Sequence, residues 1–237
     1  VIGKESVNYL DFIFYPTINN KQFLINSIKN HENIISMVHP WMRNAVSLRD
    51  VQFLDNYDCI EVSRYNKLSV EYVDNALSSG KNIKMIANDD SHDISNQDEV
   101  GKSLMFINSK STSYQDITNS IKKGNVVSVN LIKCGFNSFE VKNQRIPFLP
   151  KLIEFQVVND SLFLKFDSVA SVIKFIGQNG VIKSEFANSD NACYYFSKED
   201  TYIRAEVTFP NNAIYFLNPV FRYDVLPDNG SKNEINY

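Results

Sequence analysis

The sequence predicts an α/β domain followed by a small antiparallel β-sandwich. Over the first 130 residues, short continuous apolar runs alternate with segments of helical periodicity, which is typical of parallel strands buried on both faces. After about residue 135 the helical periodicity ends, and short alternating strands recur at intervals of roughly ten residues. We therefore expect an α/β domain over residues 1–135, a linker over 136–150 and an all-β sandwich over 151–237.

The elements of the α/β part can be placed in order from the positions of apolar runs, caps and stops. Strands are predicted at residues 10–15, 34–38, 57–62, 83–87, 103–107 and 125–129. Helices are predicted at residues 20–30, 46–56, 69–79 and 113–123, with capping serines and terminating glycines at several of their ends. Either an open doubly wound sheet or a closed barrel fits this alternation.

The second part reads as strands only. The predicted strands are residues 152–158, 161–166, 171–176, 181–184, 192–196, 202–208 and 213–216. Their residues are mostly β-branched or aromatic, and Asn- and Gly-containing turns separate them, as at Asn159-Asp160 and Asn179-Gly180.

Composition excludes several classes of protein. The chain has 237 residues, with 24 Lys and Arg against 27 Asp and Glu, so its net charge is −3 and a strongly basic nucleic-acid surface is not expected. No apolar run is long enough for a membrane-spanning helix. Cys59, Cys134 and Cys193 are widely spaced and odd in number, which argues against a disulfide framework or a thiolate zinc site.

Two of the three histidines directly follow predicted buried strands. His39 precedes Pro40 at the end of one strand, and His92 lies in the run of polar residues 88–93 at the end of another. Functional sites in parallel α/β folds form at the carboxyl ends of strands. Asp90 and His92 are separated by one residue, a spacing that can direct a carboxylate and an imidazole at one Zn, Mn or Fe ion, although such an Asp-rich segment is also a common turn.

Other charged residues near strand ends remain open to several roles. Glu61 could be a metal ligand, a base or a residue that orients a ligand imidazole, or it could simply pair with Arg64. Arg43 follows His39-Pro40 and could contact a substrate anion, or it could be an ordinary surface arginine. Glu5 would be assigned to the surface without further context.

The order of these segments resembles the PHP (polymerase and histidinol phosphatase) superfamily. The resemblance rests on the strand followed by His39-Pro40, the strand ending in Glu61-Val62, and the segment 89–92, which reads Asp-Asp-Ser-His. It extends into the second part, through residues 173–180, 202–207 and 218–221, so that it covers nearly the whole chain.

The resemblance implies a fold and an activity. It implies a distorted (β/α)7-type barrel that holds two or three divalent metal ions, Zn, Mn or Fe, and hydrolyses a small phosphorylated substrate or a phosphodiester. The metal ligands would be Glu5, His39, Asp90 and His92. Glu61, Asp89 and Arg43 would complete the catalytic site. Relatives with such a β-domain are often exported, which leaves both an exported and a cytoplasmic location open.

The chain departs from the family pattern at its beginning. Members of the family open with a His-x-His strand, and no His-x-His occurs in this sequence. We therefore expect a barrel that lacks its first strands, either because they lie in a part not represented here or because the protein has lost them. A missing segment or a second copy could then complete it. Two functions stay open: a metal-dependent phosphoesterase, or a catalytically degenerate relative that serves as a binding or interaction module.

Overall fold

A computed structural model describes residues 1–3, 15–64, 67–93, 95–97, 99–136 and 138–223. The α-helices are α1 (Ile18–Ile28), α2 (Leu48–Phe53), α3 (Val70–Ser78), α4 (Tyr114–Lys123) and α5 (Phe139–Arg145). The strands are β1 (Ser36–Met37), β2 (Cys59–Arg64), β3 (Lys67–Leu68), β4 (Lys84–Ala87), β5 (Ser103–Ile107), β6 (Val126–Asn130), β7 (Leu152–Val158), β8 (Ser161–Ile176), β9 (Ile182–Tyr195), β10 (Tyr202–Thr208) and β11 (Ile214–Phe221). The expected strand at residues 10–15 lies almost wholly outside the described residues.

The first sheet contains parallel strands that the sequence predicts. Strand β2 pairs in parallel with both β1 and β4, and the two-residue strand β3 turns back on the end of β2 in antiparallel pairing. Helices α2 and α3 contribute to an apolar core beside this sheet that includes Val51, Leu54 and Val73. Ser47 caps α2 by accepting a hydrogen bond from the N–H of Asp50, whose carboxylate accepts one from the N–H of Ser47 in return.

The second sheet is antiparallel and runs in the order β5-β6-β11-β10-β8-β7, with β9 also paired to β8. The long strand β8 pairs with β7 along its first half and with β10 along its second half. Leu162 and Leu164 from the first half of β8 share one core with Val129 of β6 and Val207 of β10. Strands from across the second sheet therefore contribute to one apolar core.

The prediction of a (β/α)7-type barrel is wrong. Strands β5 and β6 are antiparallel to each other, and β6 pairs with β11 near the end of the described chain rather than joining a parallel barrel. All five residues of β6 are buried, and a strand covered on both faces shows the same continuous apolar run in a parallel or an antiparallel sheet. The second sheet thus takes strands from both sides of residues 136–150, and the division into two domains stays a prediction.

Polar side chains join the two sheets in their buried contact. The carboxamide of Asn218 on β11 accepts a hydrogen bond from the N–H of Met85 at 2.6 Å, and the hydroxyl of Ser128 donates to the Met85 carbonyl at 3.1 Å. The hydroxyls of Ser63 on β2 and Ser103 on β5 lie 3.0 Å apart. These bonds satisfy buried polar groups and fix the first sheet against the second.

Candidate functional site

Strands β1, β2 and β4 end at the same edge of the first sheet, where several polar side chains meet. The parallel registers pair Met37 with Ile60 and Ser63 with Ala87, so the residues that follow β1 and β4 lie beside the second half of β2. The pairing of β2 with β4 shifts by one residue between Glu61 and Ser63. Such irregularities redirect a side chain locally and are frequent beside functional sites.

Glu61 is a deeply buried carboxylate at this edge. The residue is 1% exposed, and one of its side-chain oxygens accepts a hydrogen bond from the backbone N–H of His39. Burial raises the pKa of the Glu61 carboxyl to about 7, against the lowering effects of the His39 N–H, the Asn88 side chain and the Arg64 charge. This carboxyl therefore changes its charge near neutral pH.

His39 has an unusual backbone conformation. Its φ angle is +34°, which is outside the regions that L-amino acids normally adopt. The same residue presents its backbone N–H to Glu61, while its Nδ1 atom is buried and has no hydrogen-bond partner within the described residues. Strained backbone and an unpartnered ring nitrogen are features that recur at functional sites.

A second group of side chains continues the site from the end of β2. The guanidinium of Arg64 forms an ion pair with the carboxylate of Asp90, and it lies 5.8 Å from the ring centroid of Trp41. The ammonium of Lys67 lies 4.2 Å from the same ring centroid. These distances are in the range of cation–π attraction, so one indole holds two cationic side chains.

We call the residues His39, Trp41, Glu61, Arg64, Asp90 and Ser91 the strand-end cluster. Four buried polar atoms of this cluster have no hydrogen-bond partner in the described part of the chain: His39 Nδ1, Trp41 Nε1, Glu61 Oε1 and Ser91 Oγ. In native proteins nearly all buried polar atoms are paired, and each exception calls for a cause such as a bound ion or ligand. A concentration of them at converging strand ends indicates a binding site.

Asp89, a predicted catalytic residue, is held in a different environment. Its two carboxylate oxygens accept hydrogen bonds from the backbone N–H groups of Gly101, Lys102 and Ser103 at 2.6, 2.7 and 2.7 Å. These bonds fix the end of β4 to the start of β5. The carboxylate is therefore positioned to shape the intervening segment, which carries Asp90 and His92.

The remaining predicted site residues are His92, Arg43 and Glu5. His92 is exposed, and its backbone N–H donates to a Glu99 carboxylate oxygen at 3.1 Å. Arg43 is exposed in a 3₁₀ turn and has a φ angle of +51°. Glu5 lies outside the described residues.

The described residues do not by themselves fit a metal centre. They contain no group of three or more His, Cys, Asp or Glu side chains placed to hold a metal ion. His39 Nδ1 and Glu61 Oε1 are two unpartnered atoms of suitable chemistry, but the carboxylate of Asp90 is paired with the cationic Arg64. Glu5 lies outside the described residues, so the predicted ligand set of Glu5, His39, Asp90 and His92 stays a prediction.

Sequence reasoning missed part of the cluster. It considered Arg64 only as a partner of Glu61, whereas the ion pair is made with Asp90. It did not assign Trp41 or Ser91 to the site, nor Lys67, which contacts the Trp41 ring beside the cluster. The one available signal was the position of Trp41 shortly after His39, because a large amphipathic ring at a strand end is suited to line a site.

A separate cavity of about 810 Å³ lies between the β5–β6 edge and β7. Two of its polar side chains already have partners. The hydroxyl of Tyr215 donates to the Pro150 carbonyl at 2.9 Å, and the Asn218 amide donates to the Val126 carbonyl at 2.9 Å. Its described lining residues include none from the strand-end cluster, so the cavity is a distinct feature of the second sheet.

Comparisons with known proteins give one distant structural neighbour. No protein-family model matches the chain, and no curated protein matches its sequence. A solved structure from Bacteroides vulgatus, a two-domain protein containing a predicted PHP-like metal-dependent phosphoesterase, is 14% identical with a TM-score of 0.32. The similarity covers 77% of this chain and 61% of that one, so the chain spans less than two thirds of its neighbour. Similarity at this level does not assign a fold, a family or a function to the chain.

None of the helices within the described residues has the length and apolar character that a membrane crossing requires.

Proposed function

We propose that the chain is a hydrolase of phosphate esters of the PHP type, and that the strand-end cluster is its reaction site. The observation that supports this proposal is the concentration of four unpartnered buried polar atoms, within the described residues, where β1, β2 and β4 end. The same place holds the two most specific elements of the sequence resemblance, His39-Pro40 and the segment that contains Asp90.

The cluster combines a proton-transfer group with positive charge. Because the pKa of Glu61 is raised to about 7, this carboxyl exchanges a proton near neutral pH, as a general acid or base must. Lys67 lies close by and supplies a cationic group that attracts a phosphate, whereas Arg64 is paired with Asp90. Asp89 acts as a positioning residue through its three backbone hydrogen bonds, and Arg43 is assigned to contact with the substrate anion.

Metal dependence is part of the proposal through the sequence resemblance. The proposed ligands of Zn, Mn or Fe are Glu5, His39, Asp90 and His92, whose carboxylates and imidazoles are groups that these ions bind. Of these ligands, His39 offers an unpartnered buried ring nitrogen within the described residues. Binding of an ion by the Asp90 oxygen that contacts Arg64 would require Arg64 to leave it.

A second candidate function is a binding or interaction module without catalysis. It is favoured by the Arg64–Asp90 ion pair, because a guanidinium already neutralises the carboxylate that a metal ion would need. In this alternative the cluster is a stable remnant of a catalytic site, and the chain acts through the surfaces of its β-sheets.

Hydrolysis assays on aryl phosphates distinguish the two functions. We expect p-nitrophenyl phosphate or bis(p-nitrophenyl) phosphate to be hydrolysed with added Mn²⁺, and the rate to fall by about 100-fold or more in His39→Ala and in Glu61→Gln. His31→Ala is the matched control, since the side chain of His31 is 91% exposed and lies outside the cluster. Equal rates in wild type, His39→Ala and Glu61→Gln would overturn the proposal.

A further inference from the structure

Two hydrogen-bond donors lie close together at the edge of the strand-end cluster: the indole N–H of Trp41 and the ammonium of Lys67. The indole Nε1 of Trp41 is buried and has no partner within the described residues. The ammonium of Lys67 lies 4.2 Å from the centroid of the Trp41 ring, so the two donors are close to each other. An indole nitrogen is a donor only, and it usually finds an acceptor when it is buried.

Of the two cationic side chains that the described residues place against this ring, Arg64 already has a carboxylate partner. Arg64 is paired with Asp90, and the buried carboxyl of Glu61 accepts the backbone N–H of His39. Lys67 is exposed, and no ion pair joins it to a carboxylate of the described chain. An acceptor that also carries negative charge would satisfy the indole N–H and the ammonium together.

We infer that Trp41 and Lys67 form an anion subsite whose ligand is a phosphate group, either free or at the end of an ester. This inference rests on the proposed function, because it assigns to the same cluster the residues that hold the substrate's phosphate. Trp41 Nε1 donates to one phosphate oxygen, and Lys67 neutralises the group. Lys67 is thereby a residue that selects phosphate-bearing substrates.

Trp41 is the chain's single tryptophan, so its fluorescence reports directly on this subsite. The experiment is a titration of the full chain with inorganic phosphate in the presence of EDTA, at an ionic strength held constant with sodium chloride. We expect a saturable change in tryptophan emission. In Lys67→Met the apparent Kd should rise by roughly tenfold through the loss of a charge-assisted contact.

Lys198→Met is the matched control. Lys198 is also exposed and makes no ion pair with a described residue, but it lies between β9 and β10 in the second sheet. The control should bind phosphate as the wild type does. Trp41→Phe keeps an aromatic ring without the N–H donor, and calorimetry should show weaker phosphate binding by this variant, with the same circular dichroism spectrum as the wild type.

Two results would overturn the subsite: no saturable response to phosphate in the wild type, or equal Kd values in wild type and Lys67→Met. These outcomes are separable from failure of the proposed function. Phosphate binding without any hydrolysis of phosphate esters would support the anion subsite and refute the proposed enzyme activity. Hydrolysis at an unchanged rate in Lys67→Met would support the proposed enzyme activity and refute the anion subsite.

Discussion

The backbone N–H of His39 donates a hydrogen bond to the buried carboxylate of Glu61, which joins the turn after β1 to the middle of β2. His39 makes this bond from a backbone conformation with a positive φ angle. A strained residue and a buried acidic group thus meet at the edge of the sheet. Such strain persists only where the surrounding structure fixes it.

Glu61 makes stability depend on pH. The pKa of Glu61 is raised from 4.5 to about 7, so the folded state favours the protonated carboxyl. The protonated carboxyl of Glu61 therefore contributes its full stabilisation of the folded state below about pH 4.5, and this stabilisation is lost as the pH rises through about 7. Relative to Glu61→Gln, metal-free wild type should lose on the order of 2–3 kcal/mol of unfolding free energy across this range.

Urea unfolding at a series of pH values in EDTA measures this difference. Glu71→Gln serves as the control, because Glu71 is exposed on α3, and it should keep the pH profile of the wild type. If wild type and Glu61→Gln had parallel profiles between pH 4.5 and about 7, the raised pKa of Glu61 would be refuted.

Asp89→Asn should destabilise the junction between β4 and β5. The carboxylate accepts three backbone N–H groups, and an amide in its place offers only one accepting oxygen. We expect a loss of about 2–4 kcal/mol in urea unfolding and faster limited proteolysis of the segment after β4. Asp93→Asn is the neighbouring control, since exposed Asp93 accepts the N–H of Ser95, and its loss should stay below about 1 kcal/mol. Equal stabilities of the two variants would contradict the role of Asp89.

A buried ion pair fixes α3 against the second sheet. Arg204 on β10 donates from Nε and Nη2 to the two carboxylate oxygens of Asp74, both at 2.7 Å. Arg204→Met leaves the buried carboxylate of Asp74 without its cation, and Asp74→Leu leaves Arg204 with the more distant carboxylate of Glu206, 3.7 Å away. Each variant should therefore cost about 3–5 kcal/mol in urea unfolding. The double variant should lose less than the sum of the single variants, and additive losses would show that the two charges are not coupled.

Features of the fold that depend on neighbouring residues could be predicted from the sequence, and features that depend on contacts between distant residues could not. The strands that precede His39 and Asn88 could be recognised locally, because each is a short apolar run followed by polar residues. The pairing of β6 with β11 could not be recognised in this way. These strands are far apart in the sequence, and burial on both faces of β6 hides the direction of its neighbours.

The same reasoning applies within the site. Arg64 and Asp90 belong to different strand ends, and only the fold shows that they pair with each other. The unpartnered atoms of Trp41 and Ser91 become visible only when their described neighbours are known. Glu5, which the resemblance assigns to the metal site, lies outside the described residues and stays a prediction.

Elemental analysis of the purified chain tests the central claim most directly, with His39→Ala, His92→Ala and the control His31→Ala measured alongside. A metal-dependent hydrolase predicts about one or more equivalents of Zn, Mn or Fe in the wild type and in His31→Ala, and a clear reduction in His39→Ala and His92→Ala. Less than about 0.2 equivalents in the wild type, or a content unchanged by either variant, would contradict a metal site at these strand ends.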